Sequence, residues 1–478
     1  MQNKLKYILA ESRYKTYCEL TTQIGIEPAA YLDYNQKETN LIIKHFNKYP
    51  HMEKFQHAQC KSIARHDMQG LLSKEFFEVY RAVLPDQNIY LKCLSHLSHT
   101  QETKHLEKTT AANSSTDSEN KFLIASIDNF NMIKKSKATH VIFFDIPHGV
   151  TTLSLYLTAK SMGIKIIICR QFMDNTLYIT DSITNSMRKD VTGNNNASII
   201  NFNKTIVAPP YMKNKAGDIS FPRKMLFKIF KRSILIFPLL TTYHRLSVRY
   251  LLYKFKKDYY SYTYKKYYHK EHVSNTPELA TISYVYFPLH FQPEMTTSIL
   301  GGKHTNQASA LIKLRQKLPP EVMIIVKENP IQGWYMREES FFATIKSLPN
   351  TIFIATSVAT YDLIKNAKAV ASISGTACYE SLFYRKPAIY FGNPFYQDFE
   401  GTFKFDDIED ITKVLNYTID ENKLMQSANN FNNKLFKGST DIFNLAAFNP
   451  NYDKQTFDLG NNFSQIINAV VSYIKQTA

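Results

Sequence analysis

The feature that most constrains this chain is a recurring punctuation of short apolar runs, each closed by turn formers and followed by a helical pattern. "THVIFFDIPHG" (residues 139–149) is such a run, rich in β-branched and aromatic residues. Next comes "TTLSLYLTAKSMG", where Leu153, Leu155, Leu157 and Ala159 precede a glycine stop, and then "IKIIICR" (164–170). Strand, helix, glycine, strand is a βαβ unit, which calls for a parallel sheet. "KYILAES" (6–12) reads as an earlier strand of the same sheet. The pattern returns after residue 275 in "TISYVYFPLHFQPE", "EVMIIVKENP", "TIFIAT", "AVASIS" and "PAIYFG", with helical stretches such as "QASALIKLRQKLP" and "VATYDLIKNA" between them. The class is therefore α/β, with two Rossmann-like domains. Residues 1–207 form the N-terminal one, and 276–478 the C-terminal one, closed by an amphipathic helix at "NNFSQIINAVVSYIKQ". Residues 99–121 and 188–198 are polar and read as loops.

A length of 478 residues exceeds one ordinary core and agrees with two domains. The five cysteines are scattered with no CxxC pair, which reads as a reduced cytoplasmic protein without a structural metal. The N-terminal stretch has no apolar signal core, and the longest apolar run, "SILIFPLL", is too short to span a bilayer. Net charge is +17, concentrated in residues 208–275, where Lys and Arg from Arg223 to Lys270 face one acid, Asp258. Tyrosine, phenylalanine and leucine interleave with them, as in "YLLYKFKKDYYSYTYKKYY". This basic helical insert suits an anionic membrane surface. Nucleic acid and a plain solvated helix face are its other readings.

The densest chemistry lies in "SISGTACYES" (372–381). In an open α/β sheet, ligands bind beyond the carboxyl ends of the strands. Gly375 admits a close backbone approach. Ser374 and Thr376 can cap the following helix or offer hydroxyls to a phosphate. Glu380, a turn further on, can accept hydrogen bonds from a ribose diol. The alternative is an ordinary capped helix with a first-turn charge. Lys327 and Arg337, in "VKENPIQGWYMR", are candidate phosphate contacts. His290, Gln292 and Glu294 alternate in "LHFQPE", so on an extended chain they point one way and could line a cleft. In the first half, Asp145 and His148 follow a strand's carboxyl end, with Arg170 and Asp174 after the next strand.

Taken together, "YFPLHFQPEMTTSILGG", "VKENPIQGW", "LPN" and "SISGTACYESLFYRKPAIYFGNPFY" resemble, in order and spacing, the bacterial capsule and surface polysaccharide biosynthesis proteins. That group includes capsule Kdo transferases. The resemblance covers about Tyr284 to Tyr396. It implies a GT-B fold, two Rossmann-like domains facing a cleft, with the basic insert between them. It also implies a metal-independent glycosyltransferase without a cofactor, using a nucleotide-sugar such as CMP-Kdo as co-substrate. The donor would be held by Lys327, Asn329, Ser374, Gly375, Thr376 and Glu380. The N-terminal domain would take a glycan or lipid-linked acceptor, with Asp145 as base, His148 assisting, and Arg170, His290, Gln292 and Glu294 along the cleft. Related transferases that use CMP-sugars often carry His-Pro where this chain has Asn329-Pro330; asparagine donates a hydrogen bond but no charge or proton. Such an enzyme would work at the cytoplasmic face of the inner membrane, held there by the basic insert, and would not bind nucleic acid. A non-catalytic capsule assembly or export protein and a nucleotide-sugar epimerase of the same fold are the competing readings.

Overall fold

The computed structural model describes residues 6–9, 27–33, 53–56, 115–203, 277–440 and 458–477 apart from a few positions inside them, together with 76, 78–81, Tyr264 and Tyr268. The chain divides into two compact units. One comprises residues 1–98, 113–202 and 421–478, the other 99–112 and 203–420.

The first unit is built on β1 (Lys6–Leu9), β2 (Glu27–Asp33), β3 (Glu53–Gln56), β4 (His140–Phe143), β5 (Lys165–Gln171) and β6 (Thr176–Thr180), with α1 (Ser115–Ser136) and α2 (Val150–Ser161). Strands run in the order β6-β5-β4-β1-β2-β3, with β6 antiparallel to β5 and the other pairs parallel. β4 is buried along its whole length, which explains its unbroken apolar sequence. Gly149 caps α2, and its N–H donates to Thr152 Oγ1 at 3.1 Å. Gly163, at φ 70°, then turns the chain into β5. The polar stretch 99–121 does not remain a loop to its end. Its last residues open α1, whose apolar pattern starts only at Phe122, so apolar spacing hides the helix start.

The second unit carries β7 (Tyr284–Pro288), β8 (Met323–Lys327), β9 (Thr351–Ile354), β10 (Ala369–Ser372), β11 (Ala388–Tyr390) and β12 (Thr402–Lys404). Its helices are α3 (Met295–Ser298), α4 (Gln307–Lys317), α5 (Glu339–Lys346), α6 (Thr360–Asn366), α7 (Thr376–Leu382) and α8 (Ile411–Leu415). The order is β12-β11-β10-β7-β8-β9, all parallel. That is the Rossmann order, and its connections reverse direction between β7 and β10. Two tyrosines of the basic stretch, Tyr264 and Tyr268, are helical and buried in this unit's core with Val285, Phe287, Phe342 and Phe353. The rest of residues 208–275 lies outside the described residues. Among the described residues no helix is long and apolar enough to cross a membrane.

The chain then returns to the first unit through α9 (Glu421–Asn432), β13 (Phe436–Lys437) and α10 (Leu459–Gln476). β13 pairs antiparallel with β6, Phe436 opposite Leu177. α10 buries Ile466, Ile467, Val470 and Tyr473 against Ile142, Ile167, Cys169 and Leu177. The expected α/β class with two Rossmann-like units holds. The closing helix, however, belongs to the first sheet and not to the domain read as 276–478. Its apolar face has the right spacing, but spacing does not say which sheet it covers. Ile467→Ala should therefore lower stability by about 2–5 kcal/mol. The measurement is the urea midpoint of the cooperative transition, and an unchanged midpoint would mean that α10 is not seated on β4 and β5.

Candidate functional site

In the second unit, the carboxyl ends of β7 and β10 meet at the reversal point, where an open sheet offers its ligand crevice. β10 ends at Ser372, and Gly375 is the N-cap of α7 with φ −76° and ψ 155°. That backbone suits any residue; glycine is required here by contact. A Cβ at 375 would stand 2.6 Å from His290 Cε1 and 2.8 Å from Ser372 Oγ. Ser372 Oγ accepts the Gly375 N–H at 3.2 Å and lies 2.6 Å from His290 Nε2. Burial, then the Arg337 charge, pushes the His290 imidazole down to about 4, so it is neutral at pH 7.

Glu380 sits one turn into α7 and is 3% exposed. Thr376 Oγ1 donates to its Oε1 at 3.1 Å. Its Oε2 is buried with no hydrogen-bond partner. Burial raises the carboxyl from 4.5 to about 7, and the Thr376 bond opposes this. The groups that feel its charge, Tyr286, Tyr384, Tyr396 and Cys378, are themselves pushed up mainly by burial and stay neutral. Lys327 ends β8 and donates to Val358 O at 2.6 Å and Thr360 Oγ1 at 2.9 Å. Burial lowers its ammonium from 10.5 to about 8. The Tyr286 phenol is near enough to sense both Thr360, whose hydroxyl Lys327 reaches, and Glu380.

The loop after β7 differs from the extended strand that its alternation suggests. β7 stops at Pro288, and His290 and Gln292 turn inward. Glu294 is exposed, is the N-cap of α3, and accepts from Thr296 Oγ1 at 2.7 Å. The three side chains therefore do not share one direction. Gln292 Oε1 accepts from Gln307 Nε2 at 2.8 Å and Arg337 Nη1 at 3.3 Å. Arg337 forks onto Glu328 through Nε at 2.7 Å and Nη2 at 3.2 Å, and Nη2 also reaches the His290 carbonyl at 3.0 Å. Tyr264 donates to Glu328 Oε2 at 2.8 Å. Arg337, expected at a phosphate, is thus committed inside the protein. Neither Ser374 nor Thr376 caps α7, since Ser374 Oγ donates to the Thr296 carbonyl and Thr376 is turned to Glu380. The Asn329 N–H donates to Glu328 Oε1 at 2.7 Å.

The first unit collects a separate group at the ends of β4 and β5. Asp145 Oδ1 accepts the Ile146 N–H at 2.7 Å, and His148 Nδ1 lies 2.7 Å from the Ile146 carbonyl. Arg170 is 9% exposed, with its guanidinium 5.0 Å from the Tyr178 ring. Asp174 lies outside the described residues. Sequence reading missed Tyr286, Thr360 and Ser372, whose relevance depends on strands brought together from distant segments.

No protein-family model matches the chain, and no curated protein sequence does. Solved structures similar to it include two KpsC proteins of Thermosulfurimonas dismutans. The beta Kdo 2,4 transferase is 13% identical over 61% of this chain and 79% of that one, at a TM-score of 0.30. The beta Kdo 2,7 transferase is 11% identical over 73% and 89%, at 0.31. UDP-GlcNAc 2-epimerase from Neisseria meningitidis, bound to UDP-GlcNAc, is 9% identical over 98% of this chain and 100% of that one, at 0.22.

Two outcomes follow. Gly375→Ala should cost about 1–3 kcal/mol through overpacking against His290 and Ser372, read as a lowered urea midpoint; a neutral effect would show the contact to be loose. Folded Glu380 keeps its proton to about pH 7, whereas the unfolded carboxyl loses it near 4.5, so its contribution to stability falls as pH rises across that window. Glu380→Gln should match wild type near pH 4 and exceed it at pH 8 by roughly 2–3 kcal/mol. Urea midpoints at the two pH values check this, and a gap that does not change with pH would contradict it.

Proposed function

We propose that the second unit binds the nucleotide of an activated sugar and that the protein is a glycosyltransferase of capsule or surface polysaccharide synthesis. The observation that carries this reading is the buried Glu380 carboxylate oxygen left without a donor at the sheet's reversal point. A ribose diol supplies the missing donor. Gly375, bare of a side chain, lets His290 and Ser372 pack against the start of α7 beside it. Lys327 contributes positive potential from behind, and Asn329 a neutral amide. The motif resemblance supports the same assignment.

Transfer breaks the bond between the anomeric carbon and the phosphate oxygen of the donor and joins the acceptor oxygen to that carbon. The acceptor proton must go to a base. We assign the base to the first unit, at Asp145 or His148. Because the Ile146 carbonyl can only accept, His148 Nδ1 carries the hydrogen, and Nε2 keeps the basic lone pair. Asp145 has spent Oδ1 on a backbone N–H. On those bonds His148 is the better proton acceptor, and Asp145 is the second candidate. The acceptor is a glycan or glycolipid. The basic stretch 208–275 would hold the enzyme on anionic membrane, while its Tyr264 and Tyr268 are spent on the core.

The test is thermal unfolding of the full chain with CMP, CDP, UDP, GDP or TDP, for wild type and Glu380→Gln. One nucleotide should give a saturable rise in Tm that the variant loses. No rise with any of them, or the same rise in the variant, would overturn the reading. Nucleotide binding without sugar transfer to any acceptor glycan would favour the non-catalytic assembly role.

A further inference from the structure

Arg170 is a cation in an unusual position. It closes β5 on the face shared with Ile166 and Ile168, whereas Ile167 and Cys169 pack toward α10. Tyr178 is its direct cross-strand neighbour, and the guanidinium lies over that ring, 5.0 Å from its centroid. The residue is only 9% exposed. Among the described residues no carboxylate or carbonyl accepts a hydrogen bond from its guanidinium.

The other buried arginines among the described residues are satisfied. Arg315 donates to the carbonyls of Val322, Leu318 and Pro319, and Arg337 forks onto Glu328. A guanidinium has five N–H donors, and arginine is almost never buried without an acceptor. The contact that the Arg170 guanidinium does make is with the Tyr178 face. The position adds direction. Arg170 stands at the carboxyl end of a strand, beside β4, from whose end Asp145 and His148 lead into α2. The first turn of α2 carries no acid, so its N–H groups add positive potential there. Asp145 is near enough that the Tyr178 phenol senses both it and Arg170.

We propose that Arg170, backed by Tyr178, is the floor of an oxyanion subsite in the first unit, holding a phosphate ester or a sugar carboxylate through its planar fork. That the anion belongs to the acceptor rests on the transferase reading; the subsite itself does not.

The experiment uses the full chain without nucleotide. Tm is followed against glycerol 3-phosphate and against glucuronate, each at matched ionic strength with chloride, for wild type, Arg170→Met and Arg170→Lys. In wild type at least one anion should raise Tm saturably, and Arg170→Met should lose that rise. A response to glycerol 3-phosphate alone identifies a phosphate ester, and a response to glucuronate alone a carboxylate. No saturable rise in wild type, or an equal rise in Arg170→Met, overturns the subsite. Should Arg170→Met not fold, Arg170→Lys decides: an anion midpoint weakened several-fold supports the subsite, and an unchanged midpoint overturns it. An anion response in a protein that no nucleotide stabilises would keep the subsite and remove only its link to an acceptor.

Discussion

The second unit depends on one buried ion pair. Arg337 and Glu328 meet through two hydrogen bonds with their side chains almost wholly out of water, and each also holds something else. Arg337 takes the carbonyl of His290 and the side chain of Gln292, and so fixes the loop that leaves β7. Glu328 receives Tyr264 and the N–H of Asn329. A buried pair gains little over a well-packed apolar one, but losing one partner leaves an uncompensated charge at a cost of about 3–5 kcal/mol. Its value here is positional. With the loop held, His290 rests against the backbone of Gly375, and the start of α7 is set relative to β7.

The neutral state of His290 and the strain on Glu380 have the same origin. Both groups are buried at the reversal point, so each is driven toward its uncharged form. His290 finds its partner in Ser372, and the structure is satisfied there. Glu380 finds a donor for one oxygen only. A carboxylate kept this way lowers stability at neutral pH, and such a cost is what a binding site imposes on a fold. Arg170 repeats the pattern with the opposite sign in the first unit.

What was legible in the sequence was local. The strands announced themselves because residues buried on both sheet faces are apolar without interruption, and Gly375 and Glu380 stood out because they follow such a strand at short range. The hidden parts were made by distant contacts. His290 meets Ser372 across 82 residues, and Tyr264 meets Glu328 across 64. The phosphate role predicted for Lys327 took no account of Val358, 31 residues on, which claims its ammonium. α10 has a clear amphipathic face, yet its sheet is chosen by β13, a strand of two residues that leaves no periodic trace. The alternation of His290, Gln292 and Glu294 misled because Pro288 ends the strand before any of them.

The central claim, that Glu380 receives the sugar hydroxyls of a nucleotide, is open to direct observation by saturation-transfer NMR on the nucleotide that binds. The ribose protons next to the 2′- and 3′-hydroxyls should take up the most saturation in wild type and lose it selectively in Glu380→Gln. Saturation confined to the base, with the ribose silent in both proteins, would contradict the account.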